Sequence, residues 1–138
     1  MIRAVLDVNV IVAALLSPPG SPATLLRRWL DGSYELVVSP TLLRELERTL
    51  GYRKISARVT AEDARGLVEL LLRDADVRDD PATEPLVRSA DPNDDYLISL
   101  ASAANALLVS GDRHLLDLSD DLPIYRPAQF LALIERDL

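Results

Sequence analysis

The chain has 138 residues and no cysteine, which excludes disulfides, thiolate nucleophiles and cysteine-ligated zinc and suits a reducing compartment. With 49% hydrophobic residues it can fill the core of a single domain, residues 1–138, so wholesale disorder is excluded. Fifteen basic against twenty-two acidic residues give a net charge of −7, which argues against a broad basic groove of the usual nucleic-acid-binding kind.

Ile2 to Asp7 opens as a short aliphatic run of buried-strand character, interrupted by acid too early for a signal-peptide apolar region. Asn9 to Leu16 is apolar at helical spacing, and Ser17-Pro18-Pro19-Gly20 stops it. Ser21-Pro22 starts a second helix, Ser at the N-cap and Pro at the first helical position, running to about Leu30. Trp29 sits at helical spacing from Leu25 and Leu26 and reads as core or dimer surface. Tyr34 to Ser39 is a strand, and Ser39-Pro40 repeats the helix-opening device ahead of Leu42, Leu43, Leu46 and Leu50 on one face.

Thr60 and Asp63 have capping-box spacing and begin a further helix carrying Leu67, Val68, Leu70, Leu71 and Leu72. Asp76 to Arg78 is a short edge strand. Asp91-Pro92 opens a helix to about Asn105, followed by a strand from Ala106 to Ser110 and a short helix from Arg113 to Leu118. Ile124 to Arg126 is a shorter strand, and Pro127 to Arg136 the closing helix. No apolar run approaches the ~20 residues needed to cross a bilayer, so the expectation is a soluble, cytoplasmic protein without membrane contact.

Strands alternating with helices predict a parallel sheet covered on both faces and joined by right-handed crossovers. Ligands bind such sheets beyond the carboxyl ends of the strands. Asp7 and Asp112 stand at or just past two such ends. For Asp7 the ordinary alternative is an N-cap, although an acid between apolar residues at a strand exit is costly unless its charge is compensated. For Asp112 the alternative is a Gly-Asp turn capping the helix that follows.

Asp94 also sits where a capping-box acid would. On a wheel of 3.6 residues per turn, however, it falls between Leu97 and Ile98 and in line with Ala101, whereas Asp95 falls with Ser99 and Ser102. Asp94 is therefore expected to face the sheet and Asp95 the solvent, with Asp91 a weaker candidate for the same site. Periodicity does not choose between Glu45 and Glu47, which flank the apolar arc of their helix. Arg48 and Thr49 near Glu45 allow an ordinary surface pair.

If Asp7, Asp94 and Asp112 converge, each pair about 4 Å apart repels by roughly 4 kcal/mol at an effective dielectric near 20. Such a group needs a proton or a cation, and hard oxygen donors without cysteine or clustered histidine favour Mg²⁺ or Mn²⁺. A cation bridging carboxylates to phosphate would let an acidic protein bind a polyanion.

Leu6-Asp7-Val8-Asn9-Val10, Glu45 after Ser39-Pro40, Asp91-Pro92-Asn93-Asp94-Asp95 and Ser110-Gly111-Asp112, in this order, resemble the PIN-domain nucleases. Within them the chain is most similar to the VapC-like toxins of toxin–antitoxin systems, over essentially its whole length. The resemblance implies a Rossmann-like three-layer α/β/α sandwich and cleavage of RNA phosphodiester bonds dependent on Mg²⁺ or Mn²⁺. It also implies a homodimer or higher oligomer and, in the toxin members, a small antitoxin partner. It carries the catalytic and metal-holding roles onto Asp7, Glu45, Asp94 and Asp112, selecting Glu45 over Glu47. Asn9 and Ser110 match supporting positions.

Arg53 and Lys54, with Arg58, read as a solvated loop, with RNA phosphate contact as the second reading. His114 is the only histidine and reads as surface or as a neighbour of the site. A haloacid-dehalogenase-like phosphatase would want a second acid where Asn9 stands and a lysine in the later half, whereas Lys54 is the sole lysine. A receiver domain lacks the same features. The non-enzymatic rival is a PIN-like fold kept as a binding or dimerisation module.

Overall fold

The computed structural model describes residues 1–136 of the chain. Its sheet has five strands: β1 (Arg3–Leu6), β2 (Glu35–Val38), β3 (Asp76–Val77), β4 (Leu107–Val109) and β5 (Ile124–Tyr125). Their spatial order is β3-β2-β1-β4-β5 and every pairing is parallel. β1 is thus central, with Ala4 opposite Leu36 on one side and Leu6 opposite Val109 on the other. Ala4, Val5 and Leu6 are all wholly buried. Successive strand residues point to opposite faces, so both faces of β1 are covered and the molecule is a three-layer α/β/α sandwich.

The connecting helices are α1 (Val8–Leu16), α2 (Ser21–Leu30), α3 (Pro40–Leu50), α4 (Arg53–Ser56), α5 (Ala61–Asp74), α6 (Asp95–Ala103), α7 (Arg113–Leu116) and α8 (Pro127–Arg136). α1 packs on α2 and α3, α2 on α8, α3 on α5, and α6 against β1 and β4. The apolar arc of α3 buries Leu42, Leu43, Leu46 and Leu50, the four residues read as one face. Trp29 is core, 7% exposed. Tyr34, also buried, donates its hydroxyl to the Leu25 carbonyl at 2.8 Å and meets the Phe130 ring edge-on at 5.1 Å. No single helix among the described residues is long and apolar enough to cross a membrane.

Three local expectations need correction. Gly20, not Ser21, is the N-cap of α2, and Ser21-Pro22 form its first turn, because the Ser21 backbone is already helical. Pro92–Asp94 is a 3-10 turn, and the α-helix starts only at Asp95. Arg53 and Lys54 lie on a short helix rather than a loop, although solvated as expected. Ser39 and Thr60 do cap α3 and α5, accepting from the Leu42 and Asp63 amides at 3.2 and 3.0 Å.

Candidate active site

Asp7 stands at the carboxyl end of the central strand. Its amide continues the ladder onto β4, donating to the Val109 carbonyl at 2.9 Å. Its side chain, 6% exposed, takes the Ser110 hydroxyl at 2.7 Å on Oδ2 and the Asn9 amide at 3.4 Å on Oδ1. Asp7 is therefore also the N-cap of α1, so the ordinary role and the site role fall on one residue. Burial pushes its carboxyl above the usual range, the Ser110 and Asn9 hydrogen bonds pull it back, and Asp112 adds to the rise. Asn9 acts through its backbone; its side chain is exposed.

Ser110, wholly buried at the end of β4, joins two of the acids. It gives its hydroxyl proton to Asp7 and accepts the Asp112 amide at 2.9 Å. Asp112 is half-buried and caps α7 by accepting the His114 amide at 2.9 Å. The Ser-Gly-Asp step places Asp112 beside Asp7 because the Asp7 carboxylate and the Asp112 backbone amide share the same hydroxyl oxygen. His114 is exposed.

Asp94 comes from the opposite side, at the junction of the 3-10 turn and α6. It is half-buried, and its Oδ2 is buried with no hydrogen-bond partner. Its pKa is pushed up to about 7, first by burial, then by contact with the Asp112 carboxyl and the charges of Asp112, Asp7 and Asp91. Asp91 is half-buried and caps the 3-10 turn through the Asn93 amide at 3.0 Å. Asp95 departs from expectation. It is half-buried and accepts the Ser89 amide at 3.0 Å instead of facing solvent. Asp95 opens α6 in phase with Ser99 and Ser102, and what half-buries it is the preceding loop, whose Ser89 amide it accepts.

Glu45 is half-buried on α3 and Glu47 exposed. The Glu45 carboxylate is held by Arg48 in the surface pair that spacing allowed, and the Thr49 hydroxyl donates to its carbonyl at 2.8 Å. Its charge acts on Tyr96 together with those of Asp7, Asp94 and Asp80, and these with burial push the Tyr96 phenol up.

Tyr96 and Asp80 were not singled out from the sequence. Asp80 follows β3 and lies over the start of α3, accepting the Thr41 amide at 2.9 Å. Burial works against its charge, but the Ser39 hydroxyl, the Thr41 amide and hydroxyl, and Arg44 hold it below the usual range. No local signal marks Asp80, since its partners are some forty positions earlier in the chain. Tyr96 was findable as the aromatic residue beside Asp94-Asp95.

The convergence is thus of Asp7, Asp94 and Asp112, with Asp91 beside them and Glu45 turned to Arg48. Among the described residues no three acids or histidines surround a common point closely enough to hold a metal ion. This corrects the expectation of a closed carboxylate cluster, and the reason is local. Asp7, Asp91 and Asp112 are each committed to an amide of the following turn, which turns their carboxylates away from a shared centre. The donor chemistry nevertheless fits a hard cation: all-oxygen ligands, an unpartnered buried oxygen on Asp94, and a carboxyl there that stays protonated to about 7 without a counter-charge.

The PIN-domain family profile matches residues 3–114. An uncharacterized protein of Methanocaldococcus jannaschii, MJ1680, is 26% identical over 98% of this chain and 93% of its own. PAE2754 from Pyrobaculum aerophilum superposes with a TM-score of 0.66 at 18% identity, covering 98% of this chain and 90% of that one. A chain of VapBC2 from Rickettsia felis, solved bound to a DNA fragment from their promoter, superposes with a TM-score of 0.60 at 20% identity, covering 89% and 97%.

Proposed function

The chain belongs to the PIN-domain family, and from that premise we propose that it is a divalent-metal-dependent ribonuclease, the toxin of a toxin–antitoxin pair. The observation that carries the reading is the meeting of Asp7, Asp94 and Asp112 at the carboxyl ends of β1 and β4, with the Asp94 carboxyl pushed up to about 7 by burial and by its acidic neighbours. A chain has little structural use for acids packed against one another at a strand end. They cost stability unless a ligand compensates them.

In this reading Asp7, Asp94 and Asp112 hold Mg²⁺ or Mn²⁺, with Glu45 joining from α3. When bound, the cation supplies a lowered pKa for the attacking water and neutralises charge on the scissile phosphate. Ser110 ties the Asp7 carboxylate to the backbone amide of Asp112, and Asp95 and Asp91 set the turn that presents Asp94. Glu45 must exchange Arg48 for the site, which is a small cost because exposed ion pairs are worth ~0–1 kcal/mol. The likeness in fold to the VapBC2 chain supports an antitoxin partner, and a homodimer and a cytoplasmic location belong to the same proposal.

One observation favours a second reading. The acids do not close round a common point, as suits a PIN fold kept as a binding module. Incubation of a mixed RNA pool with the wild type and with Asp7→Asn, with and without Mn²⁺, separates the two. The nuclease reading predicts Mn²⁺-dependent cleavage by the wild type alone. Equal products from both proteins, or none from either, would contradict it.

A further inference from the structure

In a chain of net charge −7, two exposed arginines share a helix with Glu45. Arg44 and Arg48 are both exposed on α3 and stand four residues apart, hence on one face and about 6 Å apart along the axis. Both guanidinium groups lie back toward the start of the helix, the end that abuts the carboxyl edge of the sheet. Arg44 donates to the Thr41 hydroxyl at 3.1 Å and faces Asp80, while Arg48 reaches Glu45. Side chains on a helix favour that direction, so the lean is intrinsic to the positions.

We propose that Arg44 and Arg48 form the phosphate track along which a single-stranded RNA enters the acidic site, an inference that rests on the ribonuclease reading. Their spacing is about one step of an extended strand's backbone, and the track leads onto Glu45, whose charge acts on Tyr96 together with those of Asp94 and Asp7. Neither arginine is buried or locked. Arg44 donates to the neutral Thr41 hydroxyl and feels the Asp80 charge without a direct ion pair, and the Arg48 pair is exposed enough for a phosphate to replace the carboxylate at little cost. A planar guanidinium also suits phosphate better than an ammonium would. Arg53 and Lys54 are exposed too, but they sit on α4, past the far end of α3 from the sheet edge that holds the acids.

The test is binding of a fluorescein-labelled single-stranded RNA of mixed sequence to the Asp7→Asn protein, followed by anisotropy across a salt series. Each phosphate contact on a single strand contributes about 0.7 to the slope of log affinity against log salt. Adding Arg44→Gln and Arg48→Gln should weaken binding several-fold and lower the slope by about 1.4. A charge-matched pair on α5, Arg65→Gln with Arg73→Gln, should leave the slope unchanged. An unaltered slope in the α3 variant overturns the track, as does a slope that falls instead with Arg53→Gln and Lys54→Gln. Wild-type protein that binds RNA through α3 yet cleaves none would retain the track and remove the ribonuclease reading. Failure to bind RNA at all would remove both.

Discussion

Asp94 carries the clearest electrostatic signature in the molecule. Unfolded, its carboxyl ionises near 3.8; folded, it does so at about 7, because burial and the carboxyl of Asp112 disfavour the charge. The sign follows directly. Below about 4 both states hold the proton and nothing is lost. As pH rises toward 7 the unfolded chain releases the proton first, so metal-free stability falls and stays low above the folded value. Asp94→Asn removes the cost. Its metal-free melting temperature should match the wild type at pH 4 and exceed it by a few degrees at pH 8, the half-exposed site screening part of the effect. Coincident melting curves at pH 8 would mean that Asp94 is not under electrostatic strain. Asp7 shows why burial alone is a poor guide to such strain. It is the more buried acid, but Ser110 and the Asn9 amide stabilise its charged form.

At the scale of elements, sequence reading succeeded wherever a helix or strand is defined by its own residues. The buried face of α3, the caps Ser39 and Thr60, the edge strand at Asp76 and the closing helix from Pro127 to Arg136 all follow from local spacing and capping chemistry. It failed where geometry depends on a neighbouring loop or a distant partner. The loop before α6 brought the Ser89 amide onto Asp95, which the wheel had given to solvent, while Asp94 turned inward as read. Asp80 was invisible because its role exists only after β3 pairs with β2 and returns the chain to the start of α3. That contact can be tested as an element-level property. A carboxylate on the first amides of a helix stabilises both the unpaired N–H groups and the positive end of the dipole. Asp80→Ala should cost about 1 kcal/mol in denaturant unfolding, and Asp80→Asn, which keeps an acceptor for Thr41, less. Equal losses in the two variants would place the effect in charge alone.

For the whole molecule, the alternation of strands and helices was enough to read the parallel sandwich, and the strand-end rule was enough to find Asp7 and Asp112. The order of β3-β2-β1-β4-β5 puts both on adjacent strands, which a linear sequence does not state. Glu45 remained the least legible acid, since its helix offers two glutamates and the structure turns the chosen one to Arg48. Net charge says little at this scale, because the acids that make the total negative include those packed at the site.

The central claim is that these carboxylates form one site for a divalent cation, and calorimetric titration of Mn²⁺ tests it most directly. The account predicts binding by the wild type and by Glu47→Gln, with binding lost in Asp94→Asn. No uptake by the wild type, or equal affinity in Asp94→Asn, would contradict it.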